Sequence, residues 1–126
     1  MKYEFTGQSK TVNGVTVRQI KRISDGLVGG WIESEKNLDQ DGDCFVYDNA
    51  SVYDNALVYD NALVSGNAVV SGNALVAGNA WVSGDTRVSG KAWVYGNALV
   101  AGNAWVSGKA WVYGNAKVSG DAVITD

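Results

Sequence analysis

The chain has 126 residues, which suits one domain, and a net charge of −3 from 10 Lys and Arg against 13 Asp and Glu. It has no basic cluster to follow a nucleic-acid backbone and no apolar run near the ~18 residues that cross a bilayer, so neither partner is expected. Histidine is absent, which removes the commonest general base and the commonest metal ligand together.

Pro is also absent, and the 16 Gly recur at a fixed period, which argues for turns rather than disorder. Met1-Lys2-Tyr3-Glu4-Phe5 lacks the apolar core of a signal peptide, so a cytoplasmic location is expected. The one cysteine, Cys44, excludes an intramolecular disulfide. It stands where the repeat described below wants a small buried residue, so a packed thiol is expected rather than a reactive one.

Residues 1–30 follow no repeat and are expected to form an N-terminal β-hairpin cap. Lys2-Tyr3-Glu4-Phe5 reads as a short strand. Asn13-Gly14, between Thr11-Val12 and Val15-Thr16, is a strong hairpin signal, because both residues tolerate positive φ. The antiparallel hairpin is expected over about residues 9–23. Ser24-Asp25-Gly26 reads as a turn and Gly29-Gly30 as a further break.

The β-helix is expected over residues 31–126, with 31–43 an irregular first coil. Ile32 and Leu38 lie six apart and Val46 eight beyond, which reads as two imperfect hexads with a two-residue insertion. An atypical terminal coil is normal in a stacked repeat. Asp39-Gln40-Asp41-Gly42-Asp43 alternates oxygen-bearing residues as a calcium loop does. However, Cys44 stands where an EF-hand wants Gly, and Ala50 where it wants a bidentate Glu. An acidic loop, with no metal, is the expectation.

From Asp41 one six-residue unit repeats. Val46 begins a series at every sixth position that runs to Val118, and Ile124 closes it. A small residue precedes each by two: Cys44, then Ala from Ala50 to Ala122, with Thr86 the exception. Asp48, Asp54 and Asp60 follow by two, then Gly from Gly66 to Gly120, then Asp126. Val suits an extended backbone, and a period of six is not helical. The Gly-Asn pair supplies a bend, since both residues enter the left-handed region at low cost. Lys91 and Lys109, at the Asn position, fit such a bend less well. Three strand-and-bend units close an 18-residue triangle with Val inside and Ala in the corners. Residues 41–126 make nearly five coils, stacked as parallel sheets about 4.8 Å apart. The expected fold is all-β: a single-stranded parallel β-helix with a triangular section.

Val-Tyr-Gly-Asn-Ala (94–98 and 112–116) and Val-Ser-Gly-Asn-Ala (64–68 and 70–74) resemble the hexapeptide repeat of the left-handed β-helix superfamily. That superfamily includes acyltransferases and γ-class carbonic anhydrases. Gly-Gly-Trp-Ile-Glu-Ser-Glu-Lys-Asn-Leu (29–38) followed by Tyr-Asp-Asn-Ala resembles a narrower group of bacterial and phage hexapeptide-repeat proteins, labelled transferase-like or of unknown function. The resemblance implies left-handed winding and association in threes. The enzymes of the superfamily use histidine as base or zinc ligand, so neither activity carries over to any position here. Asp48, Asp54 and Asp60 fall on three different corners and cannot converge as an acid–base pair. No catalytic residue and no cofactor are expected, and an acyltransferase-like protein without its histidine stays open as a variant.

The 18-residue period sorts the residues flanking each Val onto three sides. The first carries Phe45/Tyr47, Leu63/Ser65, Trp81/Ser83, Leu99/Ala101 and Lys117/Ser119. The second carries Ser51/Tyr53, Val69/Ser71, Arg87/Ser89, Trp105/Ser107 and Val123/Thr125. The third carries Leu57/Tyr59, Leu75/Ala77, Trp93/Tyr95 and Trp111/Tyr113, with no charge and an unbroken Asn column that includes Asn97 and Asn115. A charge-free surface of this width exposes several hundred Å² of apolar area, which a soluble monomer seldom tolerates. Trp and Tyr are also enriched in interface cores. Three readings stay open: a homo-oligomer, with a trimer the expected size; a stacked ladder that only stabilises the sheet; and a small ligand, such as a nucleotide or sugar, held between subunits. An uncovered last coil leaves end-to-end assembly open as well.

Overall fold

A computed structural model describes residues 1–125. Asp126, read above as closing the repeat, lies outside them. Fourteen two-residue strands, from Phe45–Val46 to Val123–Ile124, follow one another around a triangle. They form three parallel sheets, each strand pairing with the one 18 residues on, as in Trp93 with Trp111 and Val52 with Val70. The first side reaches five levels. Neighbouring coils bond through the backbone: the Asn55 N–H donates to the Gly72 carbonyl at 2.9 Å, and Leu57 to Ala74 at 3.0 Å.

The Val column and the small-residue column form one continuous core. Each fully buried Val stabilises the fold by roughly 1.5–3 kcal/mol before entropy is counted. Thr86 replaces Ala in one corner, and its buried hydroxyl has no hydrogen-bond partner.

The bend differs from the sequence reading in one respect. Among residues 44–125 only the Gly position and its equivalents Asp48, Asp54 and Asp60 have positive φ, at 58–59° for the three Asp. The Asn position does not, so Lys91 and Lys109 sit in it without strain. From Gly66 to Gly102 the corners stack with little room for Cβ, whereas at Gly114 and Gly120 nothing stands within 4 Å of one. At Gly84 (φ 72°) an added Cβ would stand 2.7 Å from the Gly102 carbonyl oxygen. Asp occupies the first three corners because each carboxylate accepts the N–H of the residue one coil on: Gly66, Gly72 and Gly78, at 3.1, 3.1 and 3.2 Å.

The hairpin is longer than expected. β1 (Tyr3–Val12) and β2 (Val15–Arg22) are antiparallel, so the short strand at residues 2–5 and the hairpin arm are one strand. A register shift between Phe5 and Ser9 marks a bulge, and Gly7 takes φ 100° within it. A second shift, between Gln19 and Lys21, puts Val17 and Ile20 both inside despite their odd spacing. Gly29-Gly30 is no break. It lies within β3 (Val28–Ile32), which pairs antiparallel with β2 and parallel with Ser51–Val52. A Cβ on Gly29 would meet the Phe45 ring at 2.7 Å, and one on Gly30 the Ala50 carbonyl oxygen at 2.6 Å. These glycines serve close packing. The hairpin thus extends the second side, while Tyr3 and Ile20 join the core beneath the first coil.

The irregular first coil keeps the inward pattern through its insertion. Ile32 pairs beside Val52 and Leu38 bridges to Val58, each twenty residues apart, and both are buried. A 3-10 turn, Glu35–Asn37, occupies the third side there. Buried Asn37 replaces missing backbone partners: its amide donates to the Ala56 and Asp54 carbonyls at 2.8 and 3.2 Å, and its oxygen accepts the Ser34 N–H at 2.9 Å.

Gly84→Ala is expected to cost about 1–3 kcal/mol through left-handed strain and collision with the next coil. Lys91→Asn should change stability by less than ~0.5 kcal/mol. Urea denaturation of both variants checks the pair; an equal effect would contradict the assignment of the bend to Gly alone.

Candidate functional site

The third side is a four-stranded sheet in which Leu57, Leu75, Trp93 and Trp111 stand in one column. Their Val neighbours are buried, so strand alternation turns the flanking side chains outward. Trp93 and Trp111 stack with centroids 5.4 Å apart and planes 10° from parallel. Tyr95 and Tyr113 repeat this at 5.4 Å and 11°. Trp93 meets Tyr95 edge-on at 6.3 Å and 75°. Coil spacing sets these distances, and both geometries are favourable for aromatic pairs.

The adjoining corner carries an amide ladder. Asn61 Nδ2 donates to Asn79 Oδ1 at 3.2 Å, Asn79 to Asn97 at 3.2 Å and Asn97 to Asn115 at 3.3 Å. Leu57, Tyr59, Leu75, Trp93, Tyr95, Trp111 and Tyr113 therefore share one side, and Asn97 and Asn115 border it. The outer rings are the most accessible: Trp111 is 58% exposed and Tyr113 57%, against 42% for Trp93.

The other sides also show exposed indoles, without a stack. Trp81 stands between Leu63 and Leu99 on the first side. Trp105 on the second has the Arg87 guanidinium 5.4 Å over its ring. The hairpin tip reaches this second side, where the Asn13 amide donates to the Tyr53 hydroxyl at 2.8 Å. The first side receives Arg22, which pairs with Asp25 at 2.7 Å, donates to the Tyr47 hydroxyl at 3.3 Å and lies 5.4 Å from the Phe45 ring. Arg22 holds the Asp25 carboxyl at about 2. Among the described residues, the hairpin's hydrogen bonds to the third side are those of the Tyr3 hydroxyl to the Glu35 and Leu38 carbonyls in its first coil, short of the aromatic ladder.

Sequence reading missed two features of this side. Below Leu57 and Tyr59 it ends in a hollow of about 450 Å³, walled by Glu35, Lys36, Asp39 and Gln40. Between Tyr59 and Tyr95 it opens into a slot of about 310 Å³ floored by Ala77. The sole sequence signal for the slot is an Ala in an otherwise all-Tyr column.

The acidic loop before Cys44 holds a cation of its own. The Lys2 ammonium donates to the carbonyls of Asp41, Gly42 and Cys44 at 3.3, 3.1 and 2.6 Å, and lies 3.3 Å from Cys44 Sγ. Burial pushes the Cys44 thiol up in pKa, and the Lys2 charge opposes this only in part. Tyr3 closes the same end, its buried hydroxyl donating to the Leu38 carbonyl at 2.6 Å.

Cys44 should react with a thiol reagent at neutral pH far more slowly in the native protein than in urea; a fast native reaction would contradict its burial.

A family model described as the YdcK beta solenoid repeat matches residues 56–72, 70–84 and 92–108. Comparison with curated proteins finds no match. Over those three stretches the chain is similar to a β-solenoid repeat, in agreement with its parallel stacked coils.

Proposed function

We propose that this chain is a non-catalytic structural or interaction protein, a rigid β-helix that associates with further copies of itself through its Trp/Tyr side. One observation carries the reading: a stacked aromatic ladder stands exposed on a side whose outward strand positions bear no charge. Burying it removes a contiguous apolar patch from water, and its residues are those that dominate interface cores. Its rings are held by stacking and by the sheet beneath, so little side-chain entropy remains to be lost on association. The resemblance to hexapeptide-repeat proteins supports a trimer and a bacterial or phage origin. A single, unpaired cysteine fits a reducing, cytoplasmic setting.

Sedimentation of the protein at micromolar concentration tests the proposal. The wild type should run as an oligomer, and the double variant Trp93→Ser/Trp111→Ser as a folded monomer. A monomeric wild type sinks the proposal. An oligomer that survives the double substitution moves the contact to another side or to the coil ends.

A further inference from the structure

The third side has five levels along the prism axis. The Glu35–Asn37 turn is the first, and Leu57/Tyr59, Leu75/Ala77, Trp93/Tyr95 and Trp111/Tyr113 follow. Its relief is uneven. The first level is the hollow of about 450 Å³, wide enough for an indole, since sites of about 300 Å³ already hold small molecules. The fifth carries the side's most exposed rings, Trp111 at 58% and Tyr113 at 57%. Leu75 stands midway between them.

The charge is uneven in the same direction. Residues 33–60 carry net −7, from eight carboxylates and Lys36, whereas residues 87–117 carry four cations and no carboxylate. The border ahead of the strands repeats this. It runs Glu35, Asn55, Asn73, Lys91, Lys109, with Glu35 twenty residues before Asn55 as Leu38 is before its bridge partner Val58. Lys36, which donates to Asn55 Oδ1 at 3.1 Å, is the one cation at the acidic end. Two copies packed side on side in parallel would set rings on rings at one end and hollow on hollow at the other, with like charges adjoining. An antiparallel pair reverses each of these mismatches. Trp111 enters the hollow of the second copy, Tyr113 meets Asp39 one level below Tyr59, Glu35 faces Lys109, and Leu75 meets its own counterpart.

We infer that the third side is its own partner: two chains pair antiparallel about a twofold axis at the level of Leu75. Such a contact is isologous, so each off-axis pairing occurs twice. A face of five levels about 4.8 Å apart, six residues wide at about 3.3 Å each, measures roughly 24 by 20 Å. Two such faces bury on the order of 1,000 Å², about what a specific interface needs. The inference rests on the self-association proposed above and narrows it, because a ring of three would set this side against a different one.

Sedimentation and thiol cross-linking test it, the latter in a Cys44→Ala background that leaves one introduced cysteine per chain. The wild type should sediment as a dimer at micromolar concentration. With a short bismaleimide, Asn73→Cys should couple to its own copy. Glu35→Cys and Lys109→Cys should each stay uncoupled alone and couple when mixed. Glu35→Lys sets like charges together at both ends of the contact and should raise the dimer Kd by about tenfold or more. Urea midpoints report that each variant is folded. Coupling of Asn73→Cys to Asn79→Cys and not to itself would mark a parallel pair and overturn the inference. So would a sedimenting trimer, or an unchanged Kd in Glu35→Lys; all three results keep self-association. A monomeric wild type removes both.

Discussion

The coils depend on a corner that must turn left-handed, through much of the stack in a space too tight for a side chain. Past the first coil that condition is met by glycine, and the stacked corners then sit backbone on backbone. Once the turn is placed at every sixth residue, the rest follows. Three turns close a triangle, the next coil falls 18 residues on, and parallel hydrogen bonds lock the register. Valine and alanine can then fill a core whose section hardly varies. In the first regular coil Asp takes the same turn and offsets its strain with a charge-assisted hydrogen bond to the coil beyond.

Most of this architecture is legible in the sequence because the repeat is its own evidence. Val, Ala and Gly columns give strand, corner and turn, and a period of 18 puts Trp93 against Trp111 without coordinates. Local reading fails where a residue answers to something distant. Gly29 and Gly30 look like a flexible break, yet the demand on them comes from Phe45 and Ala50. Lys2 looks like an ordinary terminal lysine and Asp41-Gly42 like a vacant cation loop, until the fold brings one to the other. The Gly-Asn bend is a subtler case. Both residues tolerate positive φ, and only the stacking of the corners shows which of them must use it. On the aromatic side, column membership could be read, but ring planes and the depth over Ala77 could not.

Uniform inward columns specify a prism and nothing more. What distinguishes one side from another lies in residues that contribute little to the core. The hairpin divides the sides unevenly: its tip reaches the second through Asn13, and its base reaches the first through Arg22 and the first coil of the third through Tyr3, short of the aromatic ladder. Cap and aromatic ladder are therefore complementary in placement. The cap secures one end of the stack and leaves the ladder itself uncovered.

The mismatch between a core that repeats every six residues and sides that repeat every 18 has a genetic consequence. Gain or loss of one hexad within the repeat would leave the inward pattern intact, so the chain would still fold. Every later residue would nevertheless rotate to the next side. A hexad inserted between Val94 and Trp105 would part the two indoles and align Trp93 with Trp105, whereas an insertion of 18 would lengthen the prism and keep each column. Slippage during replication would thus conserve shape far more readily than surface, and a reading frame of three hexads is what keeps the aromatic side whole.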